Sequence, residues 1–95
     1  MDIQQLKYFL DVAQTEHMTK SAKRLNIAQP ALSRSVSRLE HELGVSLFDR
    51  EGRGLRLTDE GRLFQRKLMP LLNEFDSLCQ EVKSIHAESR EVRVH

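Results

Sequence analysis

The chain has one cysteine, Cys79, in 95 residues. A single thiol excludes an internal disulfide and a cysteine-built metal cluster, and it suits a reducing cytoplasm. The amino-terminal stretch lacks the basic segment and apolar run of a secretory signal. No run approaches the ~18 consecutive apolar residues that cross a bilayer, so no membrane partner is expected and the cytoplasm is the expected location. Paired carboxylates, a nucleophile with its base and a glycine-rich phosphate loop are all missing, so the sequence is not read as an enzyme. The four histidines (His17, His41, His86 and His95) stand at no metal-ligand spacing and read as surface residues. No metal and no cofactor are expected. Cys79 lies off the main apolar stripe of its segment and reads as packing rather than as a redox sensor. An excess of one charge is also missing: 15 basic residues meet 14 acidic ones, leaving +1. That sum speaks against a strongly basic nucleic-acid binder, but a sum hides where the charges sit.

What is present is unevenly placed. Residues 17–39 hold Lys20, Lys23, Arg24, Arg34 and Arg38 with no acid, a local charge of +5. Residues 50–58 hold Arg50, Arg53 and Arg56 against Glu51 alone, giving +2, and residues 59–95 carry −1. A basic window is either a solvated helix face or the footprint of a nucleic-acid binder, and context decides between them. Hydrophobic residues make up 39% of the chain, enough for a modest core. A chain this short buries only ~60–65% of its unfolded surface, so it is marginal alone and a second copy is an obvious remedy.

The apolar spacing predicts three helices in the first half. Ile3, Leu6, Phe9, Leu10 and Ala13 line one face of a helix over residues 3–15, with Asp2 as its N-cap. A short helix over residues 19–25 has Thr19 as its cap, Ala22 and Leu25 facing inward, and Asn26 closing it. A third begins near Gln29 with Pro30 in its first turn. Leu32, Val36, Leu39 and Leu43 form its apolar stripe, and Gly44 ends it. Its opposite face carries Gln29, Ser33, Arg34, Ser37 and Arg38, with no acid among them. Two short helices joined by about three residues, the second basic and polar on its outer face, form a helix-turn-helix pattern. Tight helical hairpins in ordinary bundles share it.

The period then changes. Residues 47–50 and the alternating Leu55, Arg56 and Leu57 can pair as a hairpin across a turn with two glycines, Gly52 and Gly54. Arginines sit at its tip and sides, so it reads as a wing. Thr58 caps a last helix with Asp59 and Glu60 in its first turn. There Phe64, Leu68, Leu71, Phe75, Leu78, Val82 and Ile85 recur in alternating steps of four and three. This 3.5-residue period marks a helix that pairs with another helix. From residue 59 to about 87 it would be ~43 Å long, too long to bury its stripe on so small a domain. Pro70 interrupts the stripe; one kinked helix is expected rather than two, because the apolar register continues across it.

These residues carry a family resemblance. Leu6-Lys7-Tyr8-Phe9, then Ala22, Leu25 and Ile27, then Gln29-Pro30-Ala31-Leu32-Ser33 are arranged in order. Leu39-Glu40, Leu43-Gly44, Leu47-Phe48-Asp49-Arg50 and Leu57-Thr58-Asp59-Glu60-Gly61 follow. Together they resemble the amino-terminal part of a LysR-type bacterial transcription regulator over about residues 1–90. The resemblance implies a mainly α fold: a winged helix-turn-helix at residues 1–58 and a long linker, or dimerisation, helix at residues 59–90. Residues 91–95 look like the start of an effector-binding domain otherwise absent from this chain, with Glu91-Val92-Arg93-Val94 as its first strand. Any small-molecule effector is expected to bind there. The sequence departs from the family pattern at Ala28, often a serine, which leaves the third helix to be capped by Gln29 or by nothing. It also departs at Ser21, often an alanine.

The implied function is sequence-specific binding of double-stranded DNA. The third helix, about residues 29–43, would enter the major groove, and the wing, about residues 47–57, would lie at the minor groove or backbone. Gln29, Pro30, Ser33 and Arg34 are the candidate base contacts. Gln29 suits adenine, Arg34 suits a guanine fork, and Pro30 suits either a thymine methyl or helix-start chemistry. Thr19, Lys20, Arg38, Arg50, Arg53 and Arg56 are the candidate backbone or minor-groove contacts. Arg50 reads equally as a brace of the wing through a neighbouring acid, and Arg56 equally as solvent-exposed. A homodimer on an inverted repeat is expected, with a tetramer for the full-length protein. The competing reading is a coiled-coil interaction module without specific DNA binding, which predicts acids mixed into the third helix's outer face.

Overall fold

The computed structural model describes residues 1–50, 52 and 54–93, with side chains described through residue 88. Four helices and one hairpin follow in the order α1 (Ile3–Thr15), α2 (Met18–Leu25), α3 (Gln29–Leu43), β1 (Phe48–Asp49), β2 (Arg56–Leu57) and α4 (Asp59–Arg93). The strands pair antiparallel, Phe48 opposite Leu57 and Asp49 opposite Arg56. This is the mainly α, winged helix-turn-helix arrangement with a long terminal helix that the sequence predicts.

The helix ends follow from local chemistry. Asp2 accepts the Gln5 amide at 2.8 Å and starts α1. α1 stops at Glu16, whose φ of 51° is left-handed. The expected cap of α2 at Thr19 is corrected: the helix starts one residue earlier, at Met18, and His17 is its N-cap. His17 Nδ1 accepts the Lys20 amide at 3.2 Å. The left-handed turn at Glu16 ends α1 and turns the chain so that the imidazole, not the Thr19 hydroxyl, meets the first free amides. Asn26 (φ 57°) and Gly44 (φ 74°) end α2 and α3 as expected. Ala28 precedes α3 with no side-chain cap at all. Thr58 Oγ1 accepts the Gly61 amide at 2.9 Å and donates to the Ser46 carbonyl at 2.7 Å, so one hydroxyl caps α4 and ties it to the chain entering β1.

Phe9 is the centre of the core, fully buried between Phe48 of the wing and Phe64 of α4. Its ring centroid lies 5.5 Å and 5.2 Å from theirs, at tilted angles near 50°. Such pairs add ~0.5–1.5 kcal/mol each beyond the area they bury. Val12, Ala13, Ala22, Leu32, Val36, Leu39 and Leu47 complete the core around it. Two inward positions lie outside the expected stripe. Val12 is fully buried, and Gln5 is buried with its amide donating to the Ser35 carbonyl at 3.1 Å, while Ile3 at the start of α1 is exposed. Leu43, expected in the stripe of α3, is also exposed.

α4 continues through Pro70 as one helix. Its 35 residues span ~52 Å, and the molecule is 65 Å in its longest dimension. The helix runs on to Arg93, past the expected boundary at residue 90, so residues 91–93 are helical and not the start of a strand. A helix closes its backbone hydrogen bonds within itself, whereas a strand needs a neighbour to supply them. Residues 94 and 95 lie outside the described residues. The expected dimer stripe is also divided. Phe64 and Leu68 belong to the domain's own core, with Leu72 buried beside them. Leu71, Phe75, Leu78, Val82 and Ile85 are exposed, by 42% at Phe75 and 64% at Ile85. α4 packs on α1 and the wing as far as Leu72, with Asp76 3.6 Å from Lys7 of α1; beyond that its apolar residues are exposed.

Candidate nucleic-acid interface

α3 presents its outer face to solvent because Leu32, Val36 and Leu39 hold the other face in the core. Gln29, Pro30, Arg34, Ser37 and Arg38 are exposed on it, and Ser33 is half-buried. None of the acids of the described residues lies between Gln29 and Leu39.

The hairpin folds back beside the start of α3, and the result is a groove. Its walls are Glu16, His17, Met18 and Thr19 from the α1–α2 junction, Gln29 from α3, and Arg50, Gly52, Gly54 and Leu55 from the wing. Three sequence-predicted residues, Thr19, Gln29 and Arg50, thus line one feature. Across it the Arg50 guanidinium donates to Ser33 Oγ at 3.5 Å. Among the described residues Arg50 makes no ion pair; the neighbouring acid Glu51 lies outside them.

Arg34 and Arg38 lie one turn apart and line a second groove, between α3 and the start of α1, with Gln4, Tyr8 and Glu42 on its other walls. Arg56 is placed elsewhere. It lines a surface with Asp49, Asp59, Glu60 and Arg62, away from Gln29. Lys20 is exposed at the start of α2. Arg53 lies outside the described residues. Arg24, part of the basic window, is held by Asp11 at 3.5 Å.

Several residues that shape this face were not found in the sequence. Glu40 Oε2 accepts the amides of Leu47 at 2.7 Å and Phe48 at 3.1 Å, so a carboxylate on α3 fixes where the wing begins. Glu16 Oε2 accepts the Leu57 amide at 3.2 Å and fixes where it ends. These three bonds link a side chain to backbone across seven or more residues, and no periodicity announces them. Gly61 is buried at the first turn of α4, against the Leu47 carbonyl. Ser21 is fully buried, with its hydroxyl 2.7 Å from that of Thr15, so the departure at this position adds a polar atom to the core with a partner ready for it.

Among the described residues no group of three or more His, Cys, Asp or Glu could hold a metal ion. No described helix is long and apolar enough to cross a membrane.

Comparison with known proteins gives the same outline. The family model for bacterial regulatory helix-turn-helix proteins of the lysR family matches residues 3–62. The uncharacterized HTH-type transcriptional regulator YybE of Bacillus subtilis (strain 168) is 45% identical over 85 residues, which is 90% of this chain and 29% of that protein. The crystal structure of a BenM_DBD/catB site 1 DNA complex superposes with a TM-score of 0.85 at 39% identity, covering 90% of this chain and 94% of that one. The crystal structure of a CbnR_DBD–DNA complex gives 0.83 at 36% identity, covering 88% and 97%. The chain spans about 30% of the length of the curated relatives it matches.

Proposed function

Because this chain belongs to the LysR family of bacterial regulatory helix-turn-helix proteins, we propose that it is the DNA-reading part of a transcription regulator. In this reading α3 enters the major groove and the wing lies along the neighbouring backbone or minor groove. The observation that carries it is the outer face of α3, which is polar and basic without one acid from Gln29 to Leu39 and stands beside a wing that adds Arg50. In this reading the Gln29 amide and the Arg34 guanidinium suit adenine and guanine edges, Pro30 meets a thymine methyl, and the Ser33 hydroxyl reaches a base or phosphate. Thr19, Lys20, Arg38, Arg50, Arg53 and Arg56 contact the backbone or the minor groove, which sets register and affinity rather than sequence. The likeness to DNA-bound relatives supports this over an interaction module, which would need acids on that face. No catalytic group and no cofactor is assigned to this chain. An effector would act on a further domain of the whole protein, in the cytoplasm.

The exposed part of the α4 stripe, Leu71 to Ile85, is covered by α4 of a second copy. A homodimer then presents two α3 helices to an inverted repeat, with half-sites ~34 Å or one helical turn apart. Full-length protein assembles further, as a tetramer.

A mobility-shift titration on the native promoter at rising salt tests the reading. The expected result is a preference for an inverted repeat over random DNA, with affinity falling as salt rises. Arg34→Ala is expected to weaken the specific complex ~5–100-fold, the ~1–3 kcal/mol of one bidentate base contact. Equal affinity for both DNAs, or an unaffected Arg34→Ala variant, refutes it. Phe75→Glu, at a position outside the core, is expected to yield monomers in sedimentation.

A further inference from the structure

α3 has two flanks beside the row that faces outward. Successive helical residues lie ~100° apart, so Ser33 and Glu40 fall on one side of Pro30 and Arg34, and Ala31, Ser35 and Arg38 fall on the other. The first flank meets the wing: Ser33 accepts from Arg50 at 3.5 Å, and Glu40 holds the amides of Leu47 and Phe48. The second flank meets α1: the Ser35 carbonyl accepts the Gln5 side-chain amide at 3.1 Å, and Arg38 lines a groove whose walls include Tyr8. Donors in this groove stand without partners. Arg38 and Glu42 are one turn apart, the spacing of a helical ion pair, yet Glu42 holds the Met1 amine at 2.8 Å. Asp2, the other acid there, caps α1 through the Gln5 backbone amide. Among the described residues neither Arg34 nor Arg38 makes an ion pair, and the Tyr8 hydroxyl makes no hydrogen bond. Arg34 and Arg38 are also a like-charge pair one turn apart, which is unfavourable until a negative group stands before it.

A helix lying in the major groove, ~12 Å wide, has a sugar-phosphate strand on each side. The wing serves one strand. We propose that the groove between α1 and α3 seats a phosphate of the other, with the Tyr8 hydroxyl donating to it and the Arg38 guanidinium supplying the charge. This rests on the DNA-binding reading above and adds α1 to the elements that touch DNA. Tyr8 suits the role because its ring is partly buried against the core, so the hydroxyl is offered from a held side chain that loses little rotamer freedom on binding. A phenol O–H donates and a phosphate oxygen accepts. Arg38 is turned ~40° from Arg34 toward α1. Arg38 therefore takes the phosphate, while Arg34 on the outward row is left for a base edge.

The test uses the whole 95-residue chain and a site that wild type selects from random DNA. Tyr8→Phe removes one oxygen and keeps the ring that packs on the core; thermal unfolding checks that each variant is folded. Tyr8→Phe is expected to bind the selected site and random DNA alike ~3–10-fold more weakly. Its salt slope is expected to match wild type, because a neutral donor displaces no counterion. Arg38→Ala is expected to lower the slope by about one. Each phosphate of the site is then replaced in turn by an uncharged methylphosphonate. One replacement is expected to weaken wild type and to leave the Tyr8→Phe/Arg38→Ala pair unaffected, the mark of a shared contact. Arg50→Ala is expected to show no coupling at that position. Wild-type affinity in Tyr8→Phe overturns the proposal. So does a loss confined to one base pair, which makes Tyr8 a base contact. The absence of any phosphate to which the double variant alone is insensitive overturns it too, as does a position shared with Arg50→Ala. If wild type shows no salt-dependent binding, the DNA-binding reading itself fails; wild-type binding with an unaffected Tyr8→Phe overturns this inference alone.

Discussion

Gly61→Ala in α4 is expected to destabilise the protein, against the ordinary rule for helices. Within a helix, alanine is favoured over glycine by ~1 kcal/mol because glycine loses more backbone freedom on folding. Gly61 stands at the third position of α4 and is buried, so on helix propensity alone the change should help. A Cβ built there runs into the Leu47 carbonyl oxygen, and it comes within 2.9 Å of Leu57 Cδ2 and 3.0 Å of the Leu47 carbonyl carbon. The leucine side chain can yield. The Leu47 carbonyl cannot yield freely, because it accepts the Thr58 amide at 3.0 Å and the Leu47 amide is held by Glu40 at 2.7 Å. Making room costs ~1–3 kcal/mol in overpacking and weakens a backbone hydrogen bond worth ~1 kcal/mol. Set against the propensity gain, the net loss is ~1–3 kcal/mol, or a fall in Tm of roughly 5–20 °C for a domain this size. Circular dichroism melts at matched protein concentration measure it, since self-association would make Tm depend on concentration. Gly54→Ala is the control, because its Cβ meets nothing within 4 Å and its φ is not left-handed. The reasoning is refuted if Gly61→Ala melts at or above wild type.

Glu40→Ala removes the acceptor of two strand amides and is expected to lower stability by ~2–3 kcal/mol in urea unfolding, with amide exchange fastest at Leu47 and Phe48. His17→Ala removes the cap of α2 and should destabilise by ~1 kcal/mol, while His17→Ser, a better capping residue, should melt at or above wild type. Ala28→Ser supplies the cap α3 lacks and should raise stability by ~0.5–1 kcal/mol; no change in the melt would mean the added hydroxyl does not reach an amide there. Phe9→Ala empties the centre of the core and is expected to lose ~3–5 kcal/mol, leaving little folded protein at 37 °C.

The helices were legible because each has both an apolar period and an end signal. α3 is the clearest case: Pro30 near its start, Gly44 at its end, and a stripe of Leu32, Val36 and Leu39 that the core buries. The outer face follows by elimination, so its candidate contacts could be named from spacing. What spacing does not reveal is a bond from a side chain to distant backbone. Glu40 and Glu16 sit among the acids outside the basic windows and look like solvated charges, yet between them they anchor both strands of the wing. Nor does spacing separate two polar residues that compete for the same amides, as Thr19 and His17 do; the turn at Glu16 decides, and its left-handed φ is a three-dimensional fact.

The α4 stripe shows where one-dimensional periodicity runs out. Steps of four and three from Phe64 to Ile85 read as one seam with one partner. The adjacent pair Leu71 and Leu72 is the place where that seam forks. Leu72 continues the inward row of Gly61, Phe64 and Leu68, and is buried; Leu71 begins the outward row that leads through Phe75, Leu78 and Val82, and is 60% exposed. Neighbouring residues on a helix are ~100° apart, so two adjacent leucines can belong to two faces at once. The inward row is needed because the domain is too small to close its own core without the first turns of α4, where Phe64 packs at a tilt against Phe9. A charge placed at Leu68 therefore unfolds the domain, whereas one at Phe75 leaves the fold intact and tests association alone. That separation lets the proposed self-association of this helix be measured without unfolding the rest of the domain.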